Sequence, residues 1–360
     1  MHVLDDERRR KTIDREDVLS ALALLSAQAH DAWSATRRLP VGTTRGIKRI
    51  IVAGMGGSAL GAHIARSVYR EQLSVPLEMV NGYTLPGGVD KNTLVVLSSY
   101  SGTTEETLAA ATAARKQKAT LLGMCTGGPL ATFLQKNNIP SYIFTPTQNP
   151  GNQPRMGLGY GLFGLLGLLR SAGLLPKSVD TDTPRAIAAL DRAVSQYGMQ
   201  VPYEKNPAKK MAAALQGSAV LYVGAEHLEG SVHALTNQTN ETGKQFACWF
   251  PLPELNHHLM EGLAYPKQLK KTTQAVFLSS SLYHPRVQER FALTQDVVRK
   301  NGLATQEWHS AETTKLAQAA ELLVFGGALT YYLGILHREN PSAVRWVDYF
   351  KQRLKKSHEG

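Results

Sequence analysis

Short apolar runs alternate with amphipathic stretches along most of the chain. The first such runs, typical of strands buried on both faces, lie at residues 49–53, 77–80, 93–99 and 120–125. The stretches at 58–69 and 103–118 have helical character. Strands separated by helices of this length predict parallel βαβ units in an open, doubly wound α/β sheet.

Further helices are predicted before and after this unit. Residues 15–38 carry apolar side chains at helical spacing and predict a single leading helix. Residues 155–170 are apolar and rich in glycine, which predicts a buried helix at a domain junction. A linking helix is expected over residues 181–194, with Thr183 as N-cap and Pro184 at the first helical position.

The pattern then restarts in the second half of the chain. Residues 218–235 echo residues 48–65, and aligning Gly224 with Gly54 also places His233 on His63. Residues 274–281 likewise echo residues 94–101. The sequence therefore predicts an internal duplication of one α/β unit.

The length of 360 residues is compatible with two domains of ordinary size. We expect an N-terminal helical segment at 1–44, a first domain at 45–180 and a second domain with a C-terminal helix at 181–360.

The formal net charge of +11 raises the question of a nucleic-acid partner. The basic residues are dispersed, however, and neither an arginine-rich arm nor an RNP-type aromatic motif is present. A small anionic substrate also accounts for a basic surface, through electrostatic steering. We therefore expect a small-molecule substrate and no nucleic acid.

Neither membrane insertion nor export is expected. No run reaches about 18 consecutive apolar residues, and the first seventeen residues are charged where a signal peptide would be apolar. The chain has two cysteines, Cys125 and Cys248, which excludes a disulfide scaffold and a multi-cysteine zinc site. We expect a cytoplasmic protein.

The first motif with possible chemistry is the glycine-rich turn at 54–59, between a strand and a helix. Glycines there let backbone amides approach an anion at the helix N-terminus. The turn also fits a loose dinucleotide pattern, with Glu78 at a suitable distance. Phosphate binding, a nicotinamide cofactor and a tight strand–helix corner are all compatible with this turn alone.

The second motif is the hydroxyl-rich loop at 98–107, which also follows a strand and opens a helix. A capping box formed by Thr103 and Glu106 would use only part of its polar groups. The remaining hydroxyls suit a phosphate monoester, and a dinucleotide has no use for them. Both loops lie at the carboxyl ends of parallel strands, where α/β sheets bind ligands. The second repeat lacks these loops, so phosphate binding is expected in the first repeat.

The third constellation pairs Glu241 with His257, sixteen residues later and beyond a predicted strand. The two side chains could meet in one pocket, or they could be a helix-terminal carboxylate and a surface histidine. A metal site at His257, His258 and Glu261 is disfavoured, because adjacent histidines rarely share a metal on regular structure. We expect no metal and no cofactor.

These motifs together resemble a known family. The run Gly-Met-Gly-Gly-Ser at 54–58, Ser-Tyr-Ser-Gly-x-Thr at 99–104, Asn-Glu at 240–241, and Pro-Glu-Leu-Asn-His at 253–257 are similar to those of sugar isomerase (SIS) proteins with two SIS domains. With the late Val-Asp-Tyr-Phe-Lys at 347–351, they most closely resemble the bifunctional phosphoglucose/phosphomannose isomerases of archaea and bacteria. The resemblance spans residues 45–352.

The resemblance implies a fold of two doubly wound SIS domains and a role for each matching residue. Glu241 would move a proton between C2 and C1 of the sugar, His257 would assist ring opening, Lys351 would act at the sugar end, and Arg155 would stabilise the enediolate. The residues that would hold the substrate phosphate are Gly56, Gly57, Ser58, Ser99, Ser101 and Thr104. The family is metal-free and dimeric, and in related sugar isomerases the histidine comes from the neighbouring subunit.

The resemblance thus predicts an aldose–ketose isomerase that interconverts glucose 6-phosphate, and also mannose 6-phosphate, with fructose 6-phosphate. Three departures bear on sugar specificity: Thr103 and His258 stand where the family usually has asparagine, and Leu-Met-Glu-Gly at 259–262 differs from the usual acidic and apolar run. A non-catalytic sugar-phosphate sensor is the alternative, because SIS folds also serve regulators. A nicotinamide oxidoreductase is a third hypothesis, but it leaves the hydroxyl loop unexplained.

Overall fold

Two parallel sheets form the framework of the computed structural model, which describes residues 2–356. The strands are β1 (Arg49–Ala53), β2 (Leu77–Val80), β3 (Thr93–Ser98), β4 (Thr120–Cys125), β5 (Ser141–Ile143), β6 (Ala219–Ala225), β7 (Ala247–Leu252), β8 (Thr273–Ser279) and β9 (Ala304–His309). The helices are α1 (Glu7–Ile13), α2 (Val18–Ala23), α3 (Leu25–Thr36), α4 (Gly57–Tyr69), α5 (Glu105–Lys116), α6 (Gly128–Lys136), α7 (Leu158–Ser171), α8 (Val179–Tyr197), α9 (Pro207–Leu215), α10 (Glu229–Glu241), α11 (Leu255–His258), α12 (Leu269–Thr272), α13 (Pro285–Lys300), α14 (Lys315–Leu336) and α15 (Arg345–Lys356).

Four strands of the first sheet and the four strands of the second sheet have the same order. Their strand orders are β2-β1-β3-β4-β5 and β7-β6-β8-β9, and all pairings are parallel. Strands β6 to β9 therefore repeat the arrangement of β1 to β4, although the strand order in the second sheet has no counterpart of β5. The predicted α/β class and the internal duplication are confirmed.

The continuous apolar runs are explained by burial on both faces of each sheet. In β1, Ile50 and Val52 point into the large core shared with the helices between the sheets. Ile51 and Ala53 point to the opposite face, into a smaller core covered by α5 and α6. A strand covered on both sides has no solvent face, so its sequence does not alternate between apolar and polar residues.

Helices α4 and α10 join the two halves of the chain. They pack against each other, and the rings of His63 and His233 meet there with centroids 4.6 Å apart and planes at 86°. These are the two histidines that the repeat places at equivalent positions. The two units are therefore in contact through the same position of each repeat.

The longest helix, α14, lies in the centre of the second half. By length and composition it could cross a membrane, yet 94% of its most apolar window is buried inside the protein. It packs against α8, α9 and α10. The other glycine-rich apolar helix, α7, is also buried, as predicted, and packs against α3 and α4.

The leading helix predicted over residues 15–38 is wrong as a single element. The chain turns at Leu24 (φ −96°, ψ 6°) and forms two helices, α2 and α3. The turn directs α2 onto α14 and α3 onto α7. Two different packing surfaces, rather than local sequence, therefore decide where the helix ends.

The predicted start of the linking helix is also wrong. Helix α8 begins at Val179, so Thr183 and Pro184 lie inside it and Thr183 does not cap it. Val179 is fully buried, and Asp180 forms an ion pair with Arg170. These contacts, together with acidic residues in the first turn that suit a helix N-terminus, extend the helix towards its N-terminus.

Candidate active site

The loops after β1 and β3 are joined by hydrogen bonds centred on Ser58. The backbone N–H of Tyr100 donates to Ser58 Oγ at 2.8 Å, and Ser98 Oγ donates to the carbonyl oxygen of Ser58 at 2.7 Å. Because β1 and β3 are neighbouring parallel strands, their carboxyl ends hold both loops at the same edge of the sheet. The two loops that the sequence singles out therefore form one surface.

Hydroxyl groups in the second loop are ordered by one another. Ser99 Oγ lies 2.8 Å from Thr104 Oγ1, and Ser101 Oγ lies 2.8 Å from Thr103 Oγ1. Thr104, not Thr103, is the N-cap of α5, and its side chain makes no cap hydrogen bond. The predicted capping box of Thr103 and Glu106 is therefore wrong, because the threonine hydroxyls bond to serines within the loop.

A third loop, which the sequence analysis missed, supports the other two. Gly102 has a φ of 70°, and a Cβ at this position would overlap the carbonyl oxygen of Gly127 in the loop after β4. Thr126 donates from both its N–H and its hydroxyl to the carbonyl oxygen of Tyr100. The hydroxyl loop is thus supported by contacts with the loop after β4, and no sequence motif indicates these contacts.

The glycine turn also touches the segment that carries Arg155. A Cβ at Gly57 would lie 3.0 Å from the backbone nitrogen of Arg155 and 3.0 Å from the carbonyl carbon of Pro154. Only a residue without a side chain allows this approach without displacement. The loop thus lies directly against the residues that reach across to the second half.

Arg155 connects the two halves through its side chain. Its Nη1 lies 3.6 Å from Glu241 Oε2, and its Nε donates to Thr242 Oγ1 at 2.9 Å. Its Nη2 donates to the carbonyl oxygens of Pro341 and Ser342 at 2.8 and 2.9 Å. The guanidinium is 5% exposed. Burial lowers the pKa of Arg155, while the carboxylates of Glu241 and Asp348 act in the opposite direction.

Glu241 is the last residue of α10 and remains partly open to solvent, with 37% of its side chain exposed. Gln238 of the same helix donates to the carbonyl oxygen of Arg155 at 3.0 Å, which holds the arginine beside the carboxylate. A cation and an accessible carboxylate therefore lie together beside the glycine turn. This arrangement suits proton abstraction next to a carbonyl group, since the resulting negative charge would form near a guanidinium.

Lys244 is a second cation in this cluster, and the sequence analysis assigned it no role. Its Nζ donates to the carbonyl oxygen of Glu241 at 2.5 Å and to that of Ala343. Burial, with a smaller contribution from Arg155, lowers the pKa of Lys244 to about 8. Together, Lys244 and Arg155 bind the carbonyl groups of residues 341–343, the segment that leads into α15.

Among the described residues, no hydrogen bond or ion pair joins the remaining predicted catalytic residues to this cluster. His257 is exposed on the short helix α11, and within residues 2–356 no hydrogen bond, ion pair or ring contact joins it to Glu241 or Arg155. Lys351 is exposed on α15. Asp348 of the same helix acts electrostatically on Arg155, so α15 passes near the cluster.

The corresponding loops of the second half are closed by side chains. His227 Nε2 lies 2.8 Å from Gln318 Oε1, and His227 is 1% exposed. Tyr283 donates its hydroxyl to the carbonyl oxygen of Leu278 at 2.8 Å and accepts a hydrogen bond from the N–H of Ala225. Buried side chains therefore occupy the place that the hydroxyl loop leaves open in the first half.

The dinucleotide alternative finds little structural support. The carboxylate of Glu78, which a dinucleotide ribose would need, is held by Arg49 at 2.9 and 2.7 Å. In the part of the chain that the structure describes, no group of three or more histidine, cysteine, aspartate and glutamate residues is placed to hold a metal ion.

Family models match both halves of the chain. Residues 45–139 match the SIS domain, and residues 204–354 match the bacterial phospho-glucose isomerase C-terminal SIS domain. The glycine turn and the hydroxyl loop fall in the first match, whereas Glu241, His257 and Lys351 fall in the second.

Curated relatives cover most of the chain. A protein of Caldicellulosiruptor bescii named bifunctional phosphoglucose/phosphomannose isomerase is 30% identical over 312 residues, which cover 86% of this chain and 90% of that protein. A protein of the same name from Thermoplasma volcanium is 28% identical over 307 residues, covering 85% of this chain and 91% of the relative.

Solved structures share the fold. A hypothetical protein of Thermus thermophilus superposes with a TM-score of 0.76 at 18% identity, covering 99% of this chain and 95% of that one. A glucose-6-phosphate isomerase like protein of the same organism gives a TM-score of 0.60 at 19% identity, covering 95% and 98% of the two chains.

Proposed function

The chain belongs to the bifunctional phosphoglucose/phosphomannose isomerase family, and from this premise we propose that it interconverts glucose 6-phosphate and mannose 6-phosphate with fructose 6-phosphate. This exchange is a step of glycolysis and gluconeogenesis. The proposal places the reaction at the surface shared by the hydroxyl loop, Arg155 and Glu241. The main support for this proposal is the position of Arg155. Its backbone contacts the glycine turn, and its guanidinium lies 3.6 Å from the carboxylate of Glu241.

The phosphate of the substrate binds to the first half of the chain. The hydroxyls of Ser58, Ser99, Ser101 and Thr104 and the amides of Gly56 and Gly57 provide its donors. Three of these hydroxyls already accept hydrogen bonds from backbone N–H groups of the loop: Ser58 from Tyr100, Ser99 from Gly102 and Ser101 from Thr103. Each can still donate its own proton to a phosphate oxygen. The neutral donors suit a dianion that must be released after each turnover.

The proton transfer uses Glu241. Its carboxylate removes the proton from C2 of the open-chain aldose, and the electron pair of that C–H bond forms the C1–C2 double bond of the enediolate. Returning the proton to C1, with the hydroxyl proton moving from O2 to O1, yields the ketose. The partial exposure of Glu241 leaves it accessible to the sugar.

Arg155 stabilises the negative charge of the enediolate. Because its donors are engaged with Thr242, Gln153 and two carbonyl groups, it acts mainly through its fixed positive charge and through the placement of Glu241. A buried charge that does not reorient costs little reorganisation during the reaction.

Ring opening is assigned to His257, and contact with the sugar oxygens to Lys351. His257 is exposed in one protomer, so we propose a homodimer in which it enters the neighbouring site. Lys351 approaches along α15. We further propose a cytoplasmic location, with no bound metal, cofactor or nucleic acid.

The experiment is a pair of coupled assays that start from fructose 6-phosphate and detect the glucose and mannose products separately. Turnover to both products is the expected result. Absence of turnover, with sugar phosphate still bound, would replace the isomerase by a sugar-phosphate sensor. Formation of one product alone would show which sugar Thr103 and His258 favour.

A further inference from the structure

A second pocket lies at the opposite ends of α4 and α10 from the candidate active site. Its volume is about 610 Å³, and its walls are the last turns of α4, the segment 73–77 and Glu229. Helix α4 begins at the glycine turn and ends here, whereas α10 begins here and ends at Glu241. At 1.5 Å per residue, the pocket lies about 15–20 Å along these helices from the active site.

Two arginines dominate the charge of this pocket. Arg66 and Arg70 are four residues apart, so they project from the same face of α4. Among the described residues, neither forms an ion pair within 4.0 Å. The adjacent carboxylate of Glu71 is already bound to Lys315 at 3.0 Å. Two guanidinium groups that form no ion pair within 4.0 Å therefore line the pocket, and the carboxylate of Glu229 interacts with both electrostatically.

The floor of the pocket offers neutral donors. The backbone N–H groups of Ser74 and Val75 make no hydrogen bond to any described residue, and Ser74 adds an exposed hydroxyl. Opposite them, the hydroxyl of Ser67 accepts the N–H of Gly230 at 3.1 Å, which ties α4 to the start of α10. The walls of the pocket thus belong to both halves of the chain and are held in register.

The pocket also contains one carboxylate that can accept hydrogen bonds. Glu229, in the first turn of α10, is partly buried in the wall of the pocket. Burial raises its pKa, and the positive charges of Arg70 and Arg66 act against that effect. A carboxylate beside two arginines is poorly placed for a phosphate group but well placed to accept hydrogen bonds from sugar-type hydroxyls.

We propose that the pocket formed by Arg66, Arg70, Ser74 and Glu229 is a second anion-binding site for a small phosphorylated polyol. The phosphate group lies between Arg66 and Arg70, where two planar guanidinium groups can each bind it in a bidentate manner. The hydroxyls of the ligand face Glu229. The site is independent of the proposed isomerisation, since it uses none of the residues assigned to that reaction.

Equilibrium dialysis with radiolabelled inorganic phosphate tests the site by counting bound phosphate per chain. The wild-type protein should bind two. Ser101→Ala combined with Thr104→Ala should remove the active-site phosphate and leave one. Arg66→Gln combined with Arg70→Gln should remove the other. The matched control is Arg37→Gln combined with Arg38→Gln, which changes the net charge equally at exposed positions and should still bind two.

The dialysis can overturn the proposal in two ways. No bound phosphate in the Ser101→Ala, Thr104→Ala variant would show that the second site does not exist. An unchanged count in the Arg66→Gln, Arg70→Gln variant would place that phosphate elsewhere. Failure of the isomerase assay, in contrast, leaves the count of two unaffected, so the two proposals fail separately.

A second probe tests the polyol part of the ligand. In the Ser101→Ala, Thr104→Ala background, glycerol 3-phosphate should bind about fivefold more tightly than inorganic phosphate, through added hydrogen bonds to Glu229. Glu229→Gln should reduce that preference, because a neutral amide is a weaker acceptor. Equal affinity for the two probes would restrict the site to simple oxyanions and overturn the assignment of a polyol.

Discussion

The Nη1 atom of Arg155 lies 3.6 Å from Oε2 of Glu241, and the two residues come from opposite halves of a duplicated chain. The first half supplies the loops after β1 and β3, whereas the second supplies a carboxylate at the end of α10. Neither half alone contains both groups. The duplication therefore did more than repeat a unit, because the site depends on how the two copies face each other.

Replacement of Glu241 by glutamine should abolish most of the turnover. Glutamine keeps the shape of glutamate but cannot accept the C2 proton, so we expect kcat to fall about a thousandfold, with sugar-phosphate binding within a few-fold of wild type. Exchange of solvent deuterium into C2 of glucose 6-phosphate should slow in parallel. Glu289→Gln on α13, an exposed carboxylate paired with Arg286, is the matched control. Near-normal turnover would return Glu241 to a structural role.

Phosphate recognition should depend on the first half alone. Ser101→Ala with Thr104→Ala should raise KM at least about tenfold, because each hydrogen bond to a charged group contributes about 1.5–3 kcal/mol. Ser279→Ala with Ser281→Ala, at the second-half positions that match Ser99 and Ser101, should leave KM unchanged. Steady-state kinetics with fructose 6-phosphate measure KM for both double variants. Equal increases in KM would contradict the assignment of phosphate binding to the first half.

His257 should act in the site of the neighbouring subunit. We expect His257→Ala to impair cyclic substrate more than open-chain substrate, because its proposed task is ring opening. In mixtures with Glu241→Gln subunits, hybrid dimers contain one intact site, so activity should return to about one quarter of wild type. Mixing without recovery would indicate that both residues serve the same subunit's site.

Activity should survive exhaustive dialysis against a strong chelator. The proposed steps need only a carboxylate, a guanidinium and an imidazole. Rates measured before and after dialysis should agree within error. A loss that a divalent ion restores would favour a metal-assisted mechanism instead.

Lys244 should make a pH-dependent contribution to stability. Burial lowers its pKa from 10.5 to about 8, so between these values the unfolded chain binds more protons than the folded one. Under this condition the free energy of unfolding rises with pH. The wild type should therefore gain stability relative to Lys244→Met from about pH 8 to 10.5, with a constant difference below pH 8. Urea denaturation at several pH values measures the effect, and a constant difference throughout would contradict the shift.

The sequence by itself determined strands β1 to β4, the two loops and the duplication. The observed β1, β2 and β4 coincide with the predicted runs at 49–53, 77–80 and 120–125. For β1 and β4 the reason is burial on both faces, which requires continuous apolar residues, whereas β2 is an edge strand with only Leu77 buried. The two loops could be predicted because glycines and hydroxyl side chains between a strand and a helix have few roles other than anion binding.

Only the tertiary structure decided where helices start and how the site is assembled. The position of Thr183 inside α8 and the break at Leu24 could not be predicted from the local sequence, because packing against distant helices overrides capping preferences. The binding of the 341–343 carbonyl groups by Arg155 and Lys244 joins positions about 100 to 190 residues apart. Such contacts depend on the relative placement of the two halves, and no spacing within the sequence records that placement.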